Sequence, residues 1–258
     1  MEKKYAIVTG ASSGIGTELA ILLAQRGYHL VLAARSEEKL KQIATDLQSK
    51  YNCDTLVCKV DLANDLGPVQ LLEFCQSQSL AVEVLVNNAG YGVWGAFEKV
   101  SLKEQQEMLR LNNESLMSLT YLFYPLLKKQ KGYVLNVAST AAFQAVPKLA
   151  AYAATKSFVL SFSRALYHEW KGEVSVTAVC PGPTKTGFVA RAGMNQTIDK
   201  IFEKMGMEAS DVARLAIHCM FKRKPEVIAG FSNKMGVWLG NLLPKSWVEG
   251  IAAMLFKG

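Results

Sequence analysis

Three residues of this 258-residue chain could together move a proton: Ser139, Tyr152 and Lys156, within NVAS (136–139) and YAATK (152–156). Tyr152 and Lys156 share one face of a helix at this spacing, which sets an ammonium beside a phenol. A free tyrosine, with a pKa of about 10, is a poor acid or base near neutral pH. A neighbouring cation is expected to favour the phenolate and draw that pKa toward the working range. Ser139, arriving from another segment, could hold a carbonyl oxygen and stabilise charge developing there. The trio suits proton transfer to or from a substrate oxygen.

Far upstream, YAIVTG reads as a short buried strand over 5–9 that runs through TGASSGIG into the helical pattern ELAILLAQRG. Glycines in a strand–turn–helix setting are what a dinucleotide site requires. Gly10 permits the tight turn, Gly14 lets a pyrophosphate approach the backbone, and Gly16 lets the helix lie close to the sheet. The anion would sit on the helix N-terminus, where unpaired N–H groups and the dipole favour negative charge. Ser12 and Ser13 add hydroxyl donors.

The ordered set TGASSGIG (9–16), Asp61-Leu62, NNAG (87–90), Asn112, Ser139, YAATK (152–156) and PGPTKT (181–186) resembles the short-chain dehydrogenase/reductase family in its compact form. Related hydroxysteroid and fatty-ketone reductases share this look. The resemblance runs end to end. It implies a single doubly wound Rossmann domain over 1–258, with a parallel sheet of order 3-2-1-4-5-6-7, helices on both faces and the cofactor at the carboxyl ends of the strands. It implies Tyr152 as general acid/base, with Lys156 keeping it acidic and binding the nicotinamide ribose. Ser139 would take the substrate oxygen, and Asn112 would hold a water linking Lys156 to solvent. Asn113 adjoins Asn112, and the alignment of the following helix favours Asn112. The family pattern often has Gly three residues on, where this chain has Ser115. Cofactor contacts are implied for Gly10, Ser12, Ser13, Gly14, Ile15, Gly16, Arg35, Asp61 (toward adenine), Leu62, Asn88, Ala89, Gly90, Tyr152, Lys156, Pro181, Gly182, Thr184 and Thr186. For Asn87 a structural turn is the competing reading.

The second strand, HLVLAA, ends in Ala34-Arg35. Ala34 stands where an NAD-preferring enzyme would place an acid for the ribose 2′-hydroxyl, and the Arg35 guanidinium suits a 2′-phosphate. NADP(H) is therefore expected over NAD(H). The competing readings of the whole chain are a nucleotide-sensing regulator of the same fold, which should lack the Tyr or the Lys, and a dehydratase or epimerase.

At this length one α/β domain is expected. Half the residues are hydrophobic, ample for a core, and no linker, repeat or low-complexity run interrupts them. Strands are expected near 5–9, 29–34, 55–60, 83–87, 133–137, 174–179 and 227–230. Helices are expected near 14–26, 36–50, 67–78, 103–128, 150–171 and 210–222. Strand-like sequence by Tyr5 argues against a leader peptide, and no apolar run reaches spanning length. Five scattered cysteines suggest reduced thiols and a cytoplasmic setting; no metal is expected. The net charge of +7 would attract an anionic cofactor, substrate or membrane surface, and the dispersed lysines disfavour nucleic acid. A homodimer or homotetramer is implied through the helices near 103–128 and 150–171.

The substrate is expected between the segments starting at Tyr91, Thr140 and Gly187, under a lid near 187–209 whose apolar residues suit an apolar ketone or alcohol. The tail from 231 to 258 is rich in Trp, Leu and Met with lysines between. It is expected to pack on its own domain or a partner subunit, with a membrane surface as the alternative. Gly236, Gly240 and Pro244 argue against one long helix there.

Overall fold

The computed structural model describes residues 2–255. Phe256, Lys257 and Gly258 of the apolar tail lie outside the described residues. Strand and helix alternate: β1 (Lys4–Thr9), α1 (Gly14–Gln25), β2 (His29–Ala34), α2 (Glu37–Tyr51), β3 (Thr55–Lys59), α3 (Gly67–Ser77), β4 (Ala81–Asn87). The second half runs α4 (Leu102–Leu109), α5 (Ser115–Lys129), β5 (Tyr133–Val137), α6 (Ala150–Glu169), β6 (Ser175–Cys180), β7 (Thr184–Lys185), α7 (Phe188–Ala192), α8 (Gln196–Met205), β8 (Met207–Glu208), α9 (Ala209–Phe221), β9 (Glu226–Ile228), α10 (Phe231–Leu242) and α11 (Lys245–Leu255). Seven strands form a parallel sheet of order β3-β2-β1-β4-β5-β6-β9, the expected Rossmann order once the two short strands β7 and β8, which pair only with each other, are set aside.

The strands are apolar on both faces because helices cover both. Ala6 and Val8 of β1 face Leu19 and Leu23 of α1 and Ile217 of α9; Tyr5 and Ile7 face Leu71 of α3 and Phe123 and Leu127 of α5. This is period-two alternation applied to a strand buried twice. Each fully buried leucine contributes on the order of 2 kcal/mol through removal from water. Local signals place the ends. Ser101 accepts from the Glu104 N–H (3.2 Å) and donates to its carboxylate (2.7 Å), a serine N-cap opening α4. α2 ends on Asn52 in the left-handed conformation.

One expectation changes and one holds. The helix read over 103–128 is two helices joined by a π-turn, Arg110–Glu114. The tail is a pair of helices broken at Leu243-Pro244, as the proline requires. Among the described residues it leans on its own domain at its base: Asn233 meets Gly182, and α10 contacts β9, α11 and the turn after Ser139. Phe231, Trp238, Leu242 and Trp247 stay exposed. No helix among the described residues is long and apolar enough to cross a membrane.

Candidate active site and dinucleotide cleft

At the carboxyl ends of the strands lies a cavity of about 640 Å³. It runs from Arg35, Ser36, Lys39 and Asp61 at one end, past the turn Gly10–Ile15 and Asn88–Gly90, to Ser139, Tyr152 and Lys156, and on to Phe188, Arg191, Met194 and Phe202. Ligands of open parallel sheets bind at this position.

The glycine-rich turn is built by three demands. Gly10 and Gly14 have φ of +63° and +57°, where a side chain is strained. A Cβ at Gly16 would lie 2.3 Å from the Gly10 carbonyl oxygen and 2.5 Å from Asn88 Nδ2. A Cβ at Gly14 would meet the Thr186 side chain at 3.1 Å, so this glycine also lets the loop after β6 close over the turn. Asn88 locks the arrangement by donating from Nδ2 to the carbonyls of Thr9 (2.9 Å) and Gly10 (3.2 Å). The hub beneath is Thr9, 1% exposed. Its hydroxyl donates to Val86 O and accepts from the N–H groups of Asn88 and Ala89, each at 3.0 Å. Ser13 makes no side-chain cap to α1, and no acid stands in the first turn. The unpaired N–H groups and positive dipole end therefore face the cavity.

Of the residues expected at the site, all line the cavity except Gly16 and Asn112. Gly16 acts from beneath: the space over its Cα is filled by the Gly10 carbonyl and the Asn88 amide. Asn112, 1% exposed, sits in the π-turn with its amide spent inside the protein. Its Oδ1 accepts from Tyr91 N (3.1 Å); its Nδ2 donates to Tyr91 O (2.9 Å) and Thr155 Oγ1 (3.1 Å). It clamps the loop after β4 to α6. Asn113 reaches only the Thr155 carbonyl. Asn87 lies outside the cavity in a buried net, donating to Thr120 Oγ1 and Asn136 Oδ1. Cys180 is likewise core.

Tyr152 and Lys156 share a face of α6, opposite Ser139 at the end of β5. The expected lowering of the phenol by the lysine is not found. Burial pushes Tyr152 up to about 12, and a hydrogen bond from Ser139 is the opposing pull. The reason is geometric: Lys156 Nζ donates to the Val137 carbonyl at 2.8 Å and lies 5.8 Å from the Tyr152 ring centroid. The lysine is itself brought from 10.5 to about 8 by burial. The phenol is thus held as the proton-bearing acid.

The lysine has a consequence for stability. Below about pH 8 native and unfolded chains both hold its proton, and the cost of the buried ammonium is present in full. Between about 8 and 10.5 the unfolded chain keeps a proton the native chain has released, so this group makes stability rise with pH. Buried Tyr152 and Cys75, raised to about 12, act oppositely. The comparison that isolates the lysine is with Lys156→Met in the ligand-free protein. Urea unfolding should show the variant more stable at neutral pH, with its advantage shrinking as pH passes through 8 to 10. A constant difference would contradict this assignment.

Lys39 was missed among the site residues, and the contacts of the lid residues Phe188, Arg191 and Phe202 carry no signature in the sequence. Lys39, one turn after Arg35 on the exposed side of α2, doubles the positive charge at the cleft's far end; the four-residue spacing was the available signal. Arg191 lies over the Tyr91 ring, 4.4 Å from its centroid. Phe188 packs on Tyr152 (centroids 5.4 Å) and stacks on Phe202 (6.4 Å), joining α7 and α8, the segment expected to form a lid, to the Tyr152 ring. Gly92 permits this, since a Cβ there would meet Phe188 at 2.9 Å and Tyr152 at 3.2 Å.

Comparison with known proteins places this geometry. Residues 4–197 match the family described as short chain dehydrogenase. The chain is 36% identical over 186 residues to the very-long-chain 3-oxoacyl-CoA reductase-B of Danio rerio, covering 69% of this chain and 58% of that protein. It is 30% identical over 252 residues to the 11-beta-hydroxysteroid dehydrogenase-like 4A of Arabidopsis thaliana, covering 94% and 81%. The chain spans about half the length of the 3-oxoacyl-CoA reductases it matches. Among solved structures, a short-chain dehydrogenase from Sphingobium yanoikuyae in complex with NADPH superposes with a TM-score of 0.82 at 26% identity, over 93% of each chain. A short-chain dehydrogenase/reductase from Burkholderia phymatum in complex with NAD shares the fold, with a TM-score of 0.82 at 24% identity over 93% of this chain and 94% of that one.

Proposed function

The chain belongs to the short-chain dehydrogenase family, and we propose that it is an NADP(H)-dependent oxidoreductase interconverting a carbonyl and a secondary alcohol on a largely apolar substrate. One observation carries the reading: Ser139, Tyr152 and Lys156 line the same cavity as a helix N-terminus with unpaired N–H groups and an arginine–lysine pair.

The cleft fits a nicotinamide dinucleotide. Gly10–Ile15 and the start of α1 would take the pyrophosphate. Asp61 and Leu62 would take the adenine, Asn88–Gly90 and Lys156 the ribose next to the nicotinamide, and Pro181, Gly182, Thr184 and Thr186 the nicotinamide itself. When bound, the cofactor supplies or accepts a hydride. Tyr152, kept protonated by burial, donates its proton to the substrate oxygen. Ser139 donates a hydrogen bond to the same oxygen and orients it. Lys156, held by the Val137 carbonyl, sustains reprotonation of the phenolate left behind. Asn112 acts by tying Tyr91 to Thr155, the residue before Lys156. Phe188, Met194 and Phe202 exclude water. The relatives named for 3-oxoacyl-CoA and hydroxysteroid chemistry support an acyl-chain or ring ketone. Leu109, Met117, Tyr121 and Phe158, exposed on or beside α4, α5 and α6, support pairing of two copies there.

Arg35 and Lys39 support NADP(H), since Ala34 leaves no acid to bind the 2′-hydroxyl. Arg35→Ala should reduce the preference for NADPH over NADH by about 10–100-fold, the range of a lost charge-assisted contact to phosphate. Fluorescence titration with both nucleotides measures this. Turnover of a panel of ketones, followed by nicotinamide absorbance, tests the activity. Failure to bind either nucleotide overturns the reading.

A further inference from the structure

The substrate half of the cavity is walled by apolar and aromatic side chains: Val146, Leu149, Phe188, Met194 and Phe202. One formally charged group enters it from the lid, Arg191. The other charged residues lining the cavity are Arg35, Lys39 and Asp61 at the adenine end and Lys156 at the reacting phenol. Arg191 is held in place: its guanidinium lies 4.4 Å from the Tyr91 ring centroid, and Tyr91 is clamped at both its N–H and its carbonyl by Asn112. Phe188 stands three residues before Arg191 on α7, hence on a neighbouring face, and touches the Tyr152 ring. Arg191 is therefore about one helical turn along α7 from the residue that packs on the Tyr152 ring.

Arg191 makes no ion pair among the described residues. Glu107 and Glu104, the carboxylates that bear on Tyr91, are engaged by Lys103 (4.0 Å) and Ser101 (2.7 Å). An arginine stacked on an aromatic face keeps its edge N–H groups free to bind an oxyanion in a fork. Arg191 is exposed where it lines the cavity, so it can meet an anion there, and a purely apolar substrate would gain nothing from it.

We infer that Arg191 binds an anionic group at the distal end of the substrate, so that the natural substrate is an apolar oxo or hydroxy compound bearing a carboxylate or phosphate beyond its reacting carbon. This rests on the proposed oxidoreductase activity and narrows its substrate class. A carboxylate would belong to a free oxo acid, a phosphate to an acyl thioester of a phosphorylated carrier.

The test uses matched probes: a medium-chain oxo acid against its methyl ester, and a 3-oxoacyl-CoA against the same acyl group on neutral N-acetylcysteamine. The wild-type enzyme should prefer the anionic member of at least one pair by about 10–100-fold in kcat/KM, carried by KM, as expected for a charge-assisted contact. Arg191→Gln should bring that ratio close to one, and Arg191→Lys should restore part of it. Which pair responds identifies carboxylate or phosphate. Equal use of both members by the wild type, or a ratio that survives in Arg191→Gln, overturns the inference. Calorimetric binding of the same probes to wild type and Arg191→Gln measures the same preference without turnover. Failure of the oxidoreductase reading is thereby distinguishable from failure of this one.

Discussion

Tyr152→Phe should lower kcat/KM for carbonyl reduction by about 10²–10⁴-fold, the usual contribution of a positioned general acid, while leaving NADPH affinity and thermal stability nearly unchanged. The substitution removes one oxygen from a ring that keeps its apolar contacts with Phe188 and forfeits only the hydrogen bond with Ser139. What the variant lacks is a proton. Burial sets the phenol at about 12, so at neutral pH it is an acid with its proton in place, next to a serine that can hold the acceptor oxygen. A variant retaining more than about a tenth of wild-type kcat/KM would show that another group or water supplies the proton, and the assignment of Tyr152 would fall.

Gly16→Ala should be as damaging to the fold as Tyr152→Phe is to turnover. The added methyl would be placed 2.3 Å from the Gly10 carbonyl oxygen and 2.5 Å from Asn88 Nδ2. Neither neighbour can yield alone, because Asn88 is bonded to the same carbonyl and to that of Thr9. Overpacking against backbone costs about 3 kcal/mol or more. In a domain of this size that lowers Tm by about 10 °C. NADPH affinity should fall with it, since the displaced carbonyl belongs to the turn that would hold the pyrophosphate. Gly236→Ala is the matched control: it lies inside α10, with nothing within 4 Å of the added carbon. Its Tm should hold or rise slightly, since alanine is the better helix former. Equal melting of the two variants would overturn this account of Gly16.

Physical range decides what could be read before folding. β1 was legible because Tyr5–Thr9 is an unbroken apolar, β-branched run ending on a glycine, and because a strand buried on both faces has that composition. Tyr152 and Lys156 were legible because their relation is local, one turn of one helix. Thr9 was not: its partners Asn88 and Ala89 lie 79 and 80 residues away, and nothing beside Thr9 marks it as a hub. The π-turn was hidden for the same reason. The pattern over 103–128 is continuous, and only the tertiary demand that Asn112 meet Tyr91 and Thr155 widens the helix there. The electrostatics of the phenol were misread because sharing a helical face fixes two side chains' neighbourhood but not where an ammonium spends its hydrogen bonds. Lys156 turns to the Val137 carbonyl, and burial governs both groups. In the tail, Trp238 and Trp247 are more than half exposed in the single chain, a surface that a partner subunit or a membrane could cover.

All five cysteines are buried as free thiols, and burial raises Cys58 to about 11 and both Cys75 and Cys180 to about 12. A thiol reacts as its thiolate and only where an oxidant can reach it. The folded chain therefore presents sulfur in its least reactive form, spread over β3, α3, β6 and α9 and the loop before β3. Peroxide or disulfide exchange can reach the thiols only when a segment opens, so cysteine oxidation should follow the chain's breathing and not the redox poise of its surroundings, whereas the exposed Met117, Met205 and Met235 stay open to peroxide throughout.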